Sequence, residues 1–189
     1  MMYVSTAKET WVSKKAEEKA SRLDPQSVKN ICVIKHAALG DMVQTRPMLI
    51  SLRKHFPNAK ITLGVISHYM LGIPEDLIDE IHISKGKGYS RSEKWKSLMS
   101  LPPQDIIFDI SATSYSMWLS LFTKATLKIG YIHKGIHRLA FDIAIPRAHY
   151  RFEAETYAEQ LHVIGLDFDW PLVYNMPAFD PHPDIPQEK

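Results

Sequence analysis

Asp41 occupies the position in this chain that is best suited to chemistry. It follows the apolar run 31–34 and a stretch of small residues that ends at Gly40. The run has the length and β-branched content of a buried parallel strand, and Gly40 permits a sharp bend. Ligands of open α/β sheets bind just beyond the carboxyl ends of the strands. A carboxylate at this point is either the N-cap of the next helix or a catalytic group, and its position alone favours neither.

Polar residues surround Asp41 in the sequence. Lys35 and His36 directly follow the apolar run, so we expect both at the same sheet edge. They are candidates for binding phosphate or carboxylate groups, and the alternative is a solvated lysine beside a packed histidine. Gly40 is expected to serve the backbone geometry of the loop. Thr45 either binds a ligand or caps the next helix, and capping is the simpler interpretation.

A second group of candidates is a basic stretch with interleaved aromatic residues. It contains Lys85, Lys87, Arg91, Lys94 and Lys96, together with Tyr89 and Trp95. Such a stretch suits an anionic ligand, and Arg91 and Lys94 are our binding candidates. The competing interpretation is an ordinary solvated loop. A smaller group, His133, Lys134, His137 and Arg138, is a weaker candidate for the same surface.

Strand and helix patterns alternate along most of the chain. Strands are predicted over 30–35, 60–66, 81–83, 105–110 and 127–131, and helices over about 46–56, 68–80, 93–101, 114–123 and 153–164. This alternation is typical of right-handed βαβ units. The predicted fold class is therefore α/β, a Rossmann-like domain with a parallel sheet.

Three segments are expected. Residues 1–27 form a helical extension with apolar residues at helical spacing from Val12 to Leu23, which docks on the domain or lies on a membrane surface. Residues 28–170 form the Rossmann-like domain. Residues 171–189 carry five prolines and are predicted to be a linker or tail.

Composition excludes several classes of function. The net charge of +2 gives no support for nucleic-acid binding. The single cysteine, Cys32, lies in the first predicted strand and fits a reducing, cytosolic compartment. No run of about 18 apolar residues occurs, so we expect a cytoplasmic protein with at most peripheral contact to the inner membrane. No metal-ligand spacing or phosphate-binding glycine motif is found, and no metal or cofactor is predicted.

Several segments together resemble a known enzyme family. They are VIKHAALGDMV (33–43), TRPML (45–49) and FPNAKITL (56–63), followed by DIIFDI (105–110) and the Gly130-Tyr131 pair. His149 and residues 155–165 resemble the helix that closes the first domain of that family. The pattern resembles the N-terminal domain of the ADP-heptose:lipopolysaccharide heptosyltransferases, which belong to glycosyltransferase family nine.

The resemblance implies a GT-B fold, of which this chain would supply the acceptor-binding half. It implies that Asp41 is the general base of an inverting transfer of heptose from ADP-heptose to a lipopolysaccharide inner-core acceptor. Ser111 and Thr113 stand where the family often has Gln or Asn, and they are our further acceptor-binding candidates. The nucleotide sugar would bind mainly to a C-terminal donor domain or to a separate donor subunit, because the family's His-Pro-Gly-like donor motif does not occur in these 189 residues. The competing hypothesis is a non-catalytic glycan-binding or partner module.

Overall fold

A computed structural model describes residues 2, 10–132, 135–148 and 150–177 of the 189 residues. The predictions for His133, Lys134 and His149, for residues 1 and 3–9, and for residues 178–189 fall outside the described residues.

One seven-stranded sheet organises the domain. Its spatial order is β1-β7-β6-β5-β2-β3-β4. The strands are β1 (Trp11–Val12), β2 (Asn30–Ile34), β3 (Lys60–Ile66), β4 (Glu80–Ser84), β5 (Gln104–Asp109), β6 (Ala125–Ile132) and β7 (Ile143–Pro146). Every pair is parallel except β1 with β7. The predicted α/β class with a Rossmann-like parallel sheet is confirmed.

Helices cover both faces of the sheet. They are α1 (Ala16–Ser21), α2 (Leu39–Val43), α3 (Arg46–His55), α4 (Arg91–Leu98), α5 (Ser114–Phe122), α6 (His137–Ala140) and α7 (Glu153–His162). Alternate residues of a strand point to opposite faces, so the side chains of β2 pack in two hydrophobic cores, one on each face of the sheet. Val33 packs with residues of α3 and α7, whereas Cys32 and Ile34 pack with residues of α4 and α5. The two helix layers therefore lie on opposite sides of the sheet.

Three local predictions differ from the structure. Residues 11–12 extend the sheet as β1, although their spacing predicts the start of a helix, because the backbone of this segment pairs with β7. The predicted helix over 68–80 is wrong, since only Glu75–Leu77 forms a single 3₁₀ turn. Pro74 sets φ just before this turn and the glycine at 72 has φ of +75°, so a longer helix cannot form there. The sequence predicts no strand over 143–146, where the structure contains β7.

Arg46 fastens the end of the described chain to the domain. Its side chain is buried and makes two hydrogen bonds to the Asp76 carboxylate, at 2.7 and 2.6 Å. It also donates to the carbonyl oxygens of Tyr174 and Asn175, at 2.6 and 2.5 Å. The Tyr174 hydroxyl donates to Gln44 at 2.6 Å. The segment 171–177, expected to be the start of a linker, is thus held beside α2 and α3.

Replacing Arg46 with Ala should destabilise the domain by about 2 kcal/mol, because the Asp76 carboxylate and two carbonyls lose a buried charged donor. Urea unfolding measures the loss, and proteolysis within 171–177 should become faster. The control is Arg151→Ala, since Arg151 is exposed and its pair with Glu159 at 3.0 Å should contribute less than about 1 kcal/mol. Equal losses in the two variants would show that Arg46 does not anchor this segment.

Candidate functional site

The candidate site lies at the carboxyl edge of the central strands. β2 pairs with β3 on one side and with β5 on the other, and Ile34 is in register with Gly64 and Asp109. Lys35 therefore leaves the sheet beside the end of β5, while β3 continues for two more residues. This is the edge at which open α/β sheets bind ligands.

Asp41 projects from this edge into solvent. It is the third residue of α2, whose N-cap is Ala38, so the N-cap interpretation is wrong. Its side chain keeps 53% of its surface exposed, and one carboxylate oxygen lies 4.0 Å from Lys35 Nζ. Asp41 in the first turn of a helix is also favoured by the positive end of the helix dipole. The structure thus presents an accessible carboxylate beside a cation.

Lys35 is buried, with 3% of its side chain exposed. Its ammonium donates a hydrogen bond to the Tyr157 hydroxyl and lies 4.2 Å from the centroid of the same ring. Burial lowers the pKa of Lys35 to about 8, although the charges of Asp41 and Glu153 oppose this shift. At neutral pH the side chain is therefore still an ammonium ion, and it is one that sheds its proton more easily than a surface lysine.

Residues from the end of the domain surround Lys35. Arg147 pairs with Glu153 at 2.6 Å, and Glu153 and Tyr157 are one turn apart on α7. Burial and the negative charge of Glu153 raise the pKa of Tyr157, so its hydroxyl stays protonated. Sequence reasoning missed these three residues. The one signal available was the i, i+4 spacing of Glu153 and Tyr157 on a helix with buried alanines.

Asp109 is the second carboxylate of this edge, and it is fully buried at the end of β5. Burial raises its pKa to about 7, while hydrogen bonds from Ser116 and from the amides of Ser111 and Ala112 oppose the shift. The Ser111 amide lies 2.9 Å from the carboxylate. Ala112 has φ of 56°, a left-handed conformation that is costly for alanine. The turn after β5 is therefore shaped around a carboxyl group.

The predicted residues Ser111 and Thr113 are tied into the protein by hydrogen bonds. The Ser111 hydroxyl accepts from the His36 amide at 2.6 Å and donates to the Ile34 carbonyl at 3.1 Å. Thr113 is the N-cap of α5 and forms a capping box with Ser116. The structure brings Ser111 directly against the end of β2, whereas Thr113 organises the start of α5.

His36 is buried beside Tyr115, with ring centroids 5.8 Å apart. Burial, with smaller contributions from His82, His68 and Lys35, lowers its pKa to about 3, so the ring is neutral at pH 7. Neither ring nitrogen has a hydrogen-bond partner within the described residues. Of the two alternatives for His36, the structure therefore shows the packed histidine, and both of its ring nitrogens lack a hydrogen-bond partner among the described residues.

The basic stretch is linked to His36 through Tyr115. The Tyr115 hydroxyl donates to the Lys85 carbonyl at 2.7 Å and lies 3.5 Å from the Lys94 carbonyl. Arg91 is the first residue of α4 and is exposed, and Lys94 lies in the middle of the same helix. These two candidates therefore flank the His36 side of the edge and lie on a different element from Asp41.

Two further expectations concern the residues around α2. Thr45 occupies the predicted N-cap position of α3, but its hydroxyl donates to the Met42 carbonyl at 2.6 Å and makes no cap hydrogen bond. Thr45 is fully buried beneath α2. No described atom lies within 4 Å of a Cβ built on Gly40, and φ of Gly40 is not left-handed. Backbone geometry therefore does not require glycine at position 40, and the space beside Asp41 is open.

The described residues show neither a metal-binding cluster nor a membrane-spanning helix. They contain no group of three His, Cys, Asp or Glu side chains arranged to hold a metal ion. Within the same residues, no helix is both long and apolar enough to cross a bilayer. Cys32 is buried, and burial raises the pKa of its thiol, which makes it unreactive.

Comparison of the fold with solved structures gives consistent results. A family-nine glycosyltransferase from Veillonella parvula superposes with a TM-score of 0.61 and 22% identity, over 77% of this chain and 43% of that one. The E. coli heptosyltransferase WaaC, solved with ADP-2-deoxy-2-fluoro heptose, gives a TM-score of 0.64 and 16% identity, over 77% and 52%. E. coli ADP-heptose lps heptosyltransferase II gives 0.52 and 15%, over 80% and 47%.

The chain has the fold of the N-terminal part of these glycosyltransferases. It spans about half the length of the solved structures that it matches. No protein-family model and no curated protein sequence matches it. The expected α/β fold of a GT-B half therefore agrees with the comparison.

The free energy of unfolding should depend on pH through the protonation of the buried Asp109 carboxyl group. Between its ordinary pKa of 3.8 and the folded value of about 7, the unfolded side chain is ionised while the folded one keeps its proton. Rising pH therefore lowers the free energy of unfolding over this interval. Asp109→Asn removes the effect, so its stability relative to wild type should increase by about 3 kcal/mol from pH 4 to pH 7. Urea unfolding at several pH values measures the difference.

His36→Asn provides the matched comparison, because the effect of His36 on the free energy of unfolding changes with pH in the opposite direction. Between a folded pKa of about 3 and an ordinary value of 6.5, only the unfolded histidine is protonated. Rising pH therefore stabilises the wild type over this interval, and His36→Asn should lose stability relative to it. A pH-independent difference between Asp109→Asn and the wild type would show that Asp109 is not a buried neutral acid.

Proposed function

We propose that this chain is the acceptor-side domain of an inverting glycosyltransferase of the heptosyltransferase type, with Asp41 as its general base. The observation that carries the proposal is an exposed carboxylate 4.0 Å from a buried ammonium, at the ligand-binding edge of this fold. The fold shared with family-nine glycosyltransferases supports it.

The proposed reaction is a single displacement. The oxygen of an acceptor hydroxyl attacks the anomeric carbon of the nucleotide sugar. As it attacks, the proton of this hydroxyl moves to a carboxylate oxygen of Asp41. The bond from this carbon to the diphosphate oxygen breaks, and the nucleoside diphosphate leaves with the electron pair. The base and the leaving group lie on opposite faces of the sugar, so the configuration inverts. The exposure of Asp41 and the open space at Gly40 leave room for an acceptor.

Lys35 has a positioning role in this scheme. Its ammonium is held by Tyr157, so the charge stays in place beneath the carboxylate. It attracts and orients Asp41 and neutralises part of the charge that an anionic acceptor brings to the edge. Because Lys35 is buried, we propose that it acts through Asp41 and does not contact the substrate directly.

The substrates that we propose follow the relatives and the local charge. The donor is a nucleotide sugar, with ADP-heptose the leading candidate, because WaaC was solved with ADP-2-deoxy-2-fluoro heptose. The acceptor is an anionic, lipopolysaccharide-type glycan bound near His36, Ser111, Arg91 and Lys94. A donor-binding domain or subunit completes the site, and the reaction would take place on the cytoplasmic side of the inner membrane.

Asp41→Asn should lower kcat by about 10²–10⁴-fold, the usual contribution of a general base, while the dissociation constant for the acceptor changes little. The assay uses the protein together with its donor-binding half, and measures release of nucleoside diphosphate and binding of the acceptor glycan. Glu75→Gln is the control, since Glu75 is another exposed carboxylate, in the 3₁₀ turn beside α2. Near-wild-type turnover of Asp41→Asn would contradict the assignment.

Lys35→Met should lower kcat with a smaller effect on KM, because it removes the charge that orients Asp41. In the wild type, kcat should fall as pH rises through about 8, where Lys35 loses its proton, and Lys35→Met should lack this step. Tyr157→Phe keeps the ammonium and removes its hydrogen bond, so it should retain the step. Identical pH profiles for the wild type and Lys35→Met would exclude this role for Lys35.

A further inference from the structure

A second surface of the domain combines exposed aromatic side chains with cations. The aromatic patch consists of Trp95 on α4 with Trp118 and Phe122 on α5. The Phe122 ring lies 4.7 Å from that of Trp95 and 5.6 Å from that of Trp118, measured between centroids. Trp95 and Trp118 keep 53% and 37% of their surfaces exposed. Large apolar side chains that cluster outside the core mark a contact surface.

A basic cavity of about 420 Å³ adjoins this patch. Four cations and one carboxylate line it: Lys19, Lys124, Lys128, Arg138 and Asp142. Lys19 pairs with Asp142 at 2.6 Å, which leaves an excess of positive charge in the cavity. Phe122 belongs to both the patch and the cavity wall, so the two form one continuous surface. Leu139, 74% exposed, also lines the cavity.

This surface is separate from the candidate active site. The cavity is built around the amino ends of β6 and β7, whereas Asp41 follows the carboxyl end of β2. β6 has eight residues, so the two ends of the sheet are about 20–25 Å apart. The patch also lies on the α4–α5 side of the sheet, away from α3 and α7. Substitutions here should leave the geometry around Asp41 unchanged.

Charge complementarity identifies the kind of partner. The helix that presents Trp95 carries Lys96 in its last turn, and the adjoining cavity adds Lys124, Lys128 and Arg138. Lysine is depleted at protein–protein interfaces. Tryptophan and lysine together are instead typical of surfaces that lie in the headgroup region of a bilayer.

We propose that the aromatic patch and the basic cavity bind the surface of an anionic phospholipid membrane. Trp95, Trp118 and Phe122 enter the headgroup region, and the cations of the cavity bind lipid phosphates. Each lysine or arginine near such a surface strengthens binding several-fold, in a salt-dependent manner. The sheet is then held to the membrane by its α4–α5 side, with the edge that carries Asp41 left open. This proposal does not depend on the proposed function.

Vesicle co-sedimentation tests the proposal. The full chain should bind vesicles of phosphatidylcholine mixed with an equal amount of phosphatidylglycerol, but not vesicles of phosphatidylcholine alone, and added salt should weaken binding. Trp95→Ala/Trp118→Ala and Lys124→Gln/Arg138→Gln should each weaken binding by about tenfold or more. All four side chains are partly or largely exposed, so the variants should fold, which circular dichroism checks.

Matched controls are available elsewhere on the surface. Lys54→Gln/Arg151→Gln removes the same charge near α3 and α7, and Trp170→Ala removes a tryptophan that is 69% exposed. Both should bind vesicles as the wild type does. Quenching of tryptophan fluorescence by brominated lipid should be strong in the wild type and weak in Trp95→Ala/Trp118→Ala.

Three results would overturn the proposal. The first is no binding of the wild type to anionic vesicles. The second is binding of inorganic phosphate that depends on Lys124 and Arg138 without any vesicle binding, which would make the cavity a site for soluble anions. The third is a dimer in sedimentation experiments that Trp95→Ala/Trp118→Ala dissociates, which would make the patch an interface between two copies of the chain.

Discussion

The burial of one ammonium group, that of Lys35, is the constraint on which the arrangement of the site depends. A cation removed from water requires nearby charge and hydrogen-bond acceptors, and here they come from two helices, α2 and α7. Tyr157 accepts its hydrogen bond, Asp41 lies 4.0 Å away, and Glu153 lowers the cost of the charge from α7. Helix α7 is thereby tied to the end of β2, and the Asp41 carboxylate lies beside the same ammonium.

The same edge contains a second buried ionisable group with the opposite preference. Asp109 keeps its proton up to about pH 7 because its surroundings are dry, while Lys35 keeps its charge because its partners are close. Below about pH 7, Asp109 at the end of β5 is therefore a neutral carboxylic acid, and Lys35 after the end of β2 is an ammonium ion. Asp41, which is exposed, is the member of the group that a substrate can reach. This division matches a site in which buried groups position and one exposed group reacts.

Most elements of the fold could be predicted from local sequence patterns. The apolar runs of β2, β3 and β5 are long enough to predict, and Pro47 in the first turn of α3 fixes the start of that helix. β1 has two residues and forms only by pairing with β7, so its sequence contains too little to predict. The position of Lys35 at the carboxyl edge of the sheet could be predicted because it immediately follows β2, and that of Asp41 because only a short loop separates α2 from the same strand. Tyr157 contacts Lys35 across 122 positions of the chain, and that contact depends on packing that no local pattern encodes.

The central claim is that the edge carrying Lys35 and Asp41 binds an anionic glycan acceptor. The most direct measurement is an NMR titration of this chain with a phosphorylated inner-core oligosaccharide, and separately with ADP. The account predicts that the oligosaccharide shifts the amide resonances of His36, Gly40 and Asp41 and leaves those of the aromatic patch unchanged. ADP should shift few resonances, because its site is proposed to lie in the donor-binding half. Shifts confined to other surfaces, or no response to the oligosaccharide, would contradict the account.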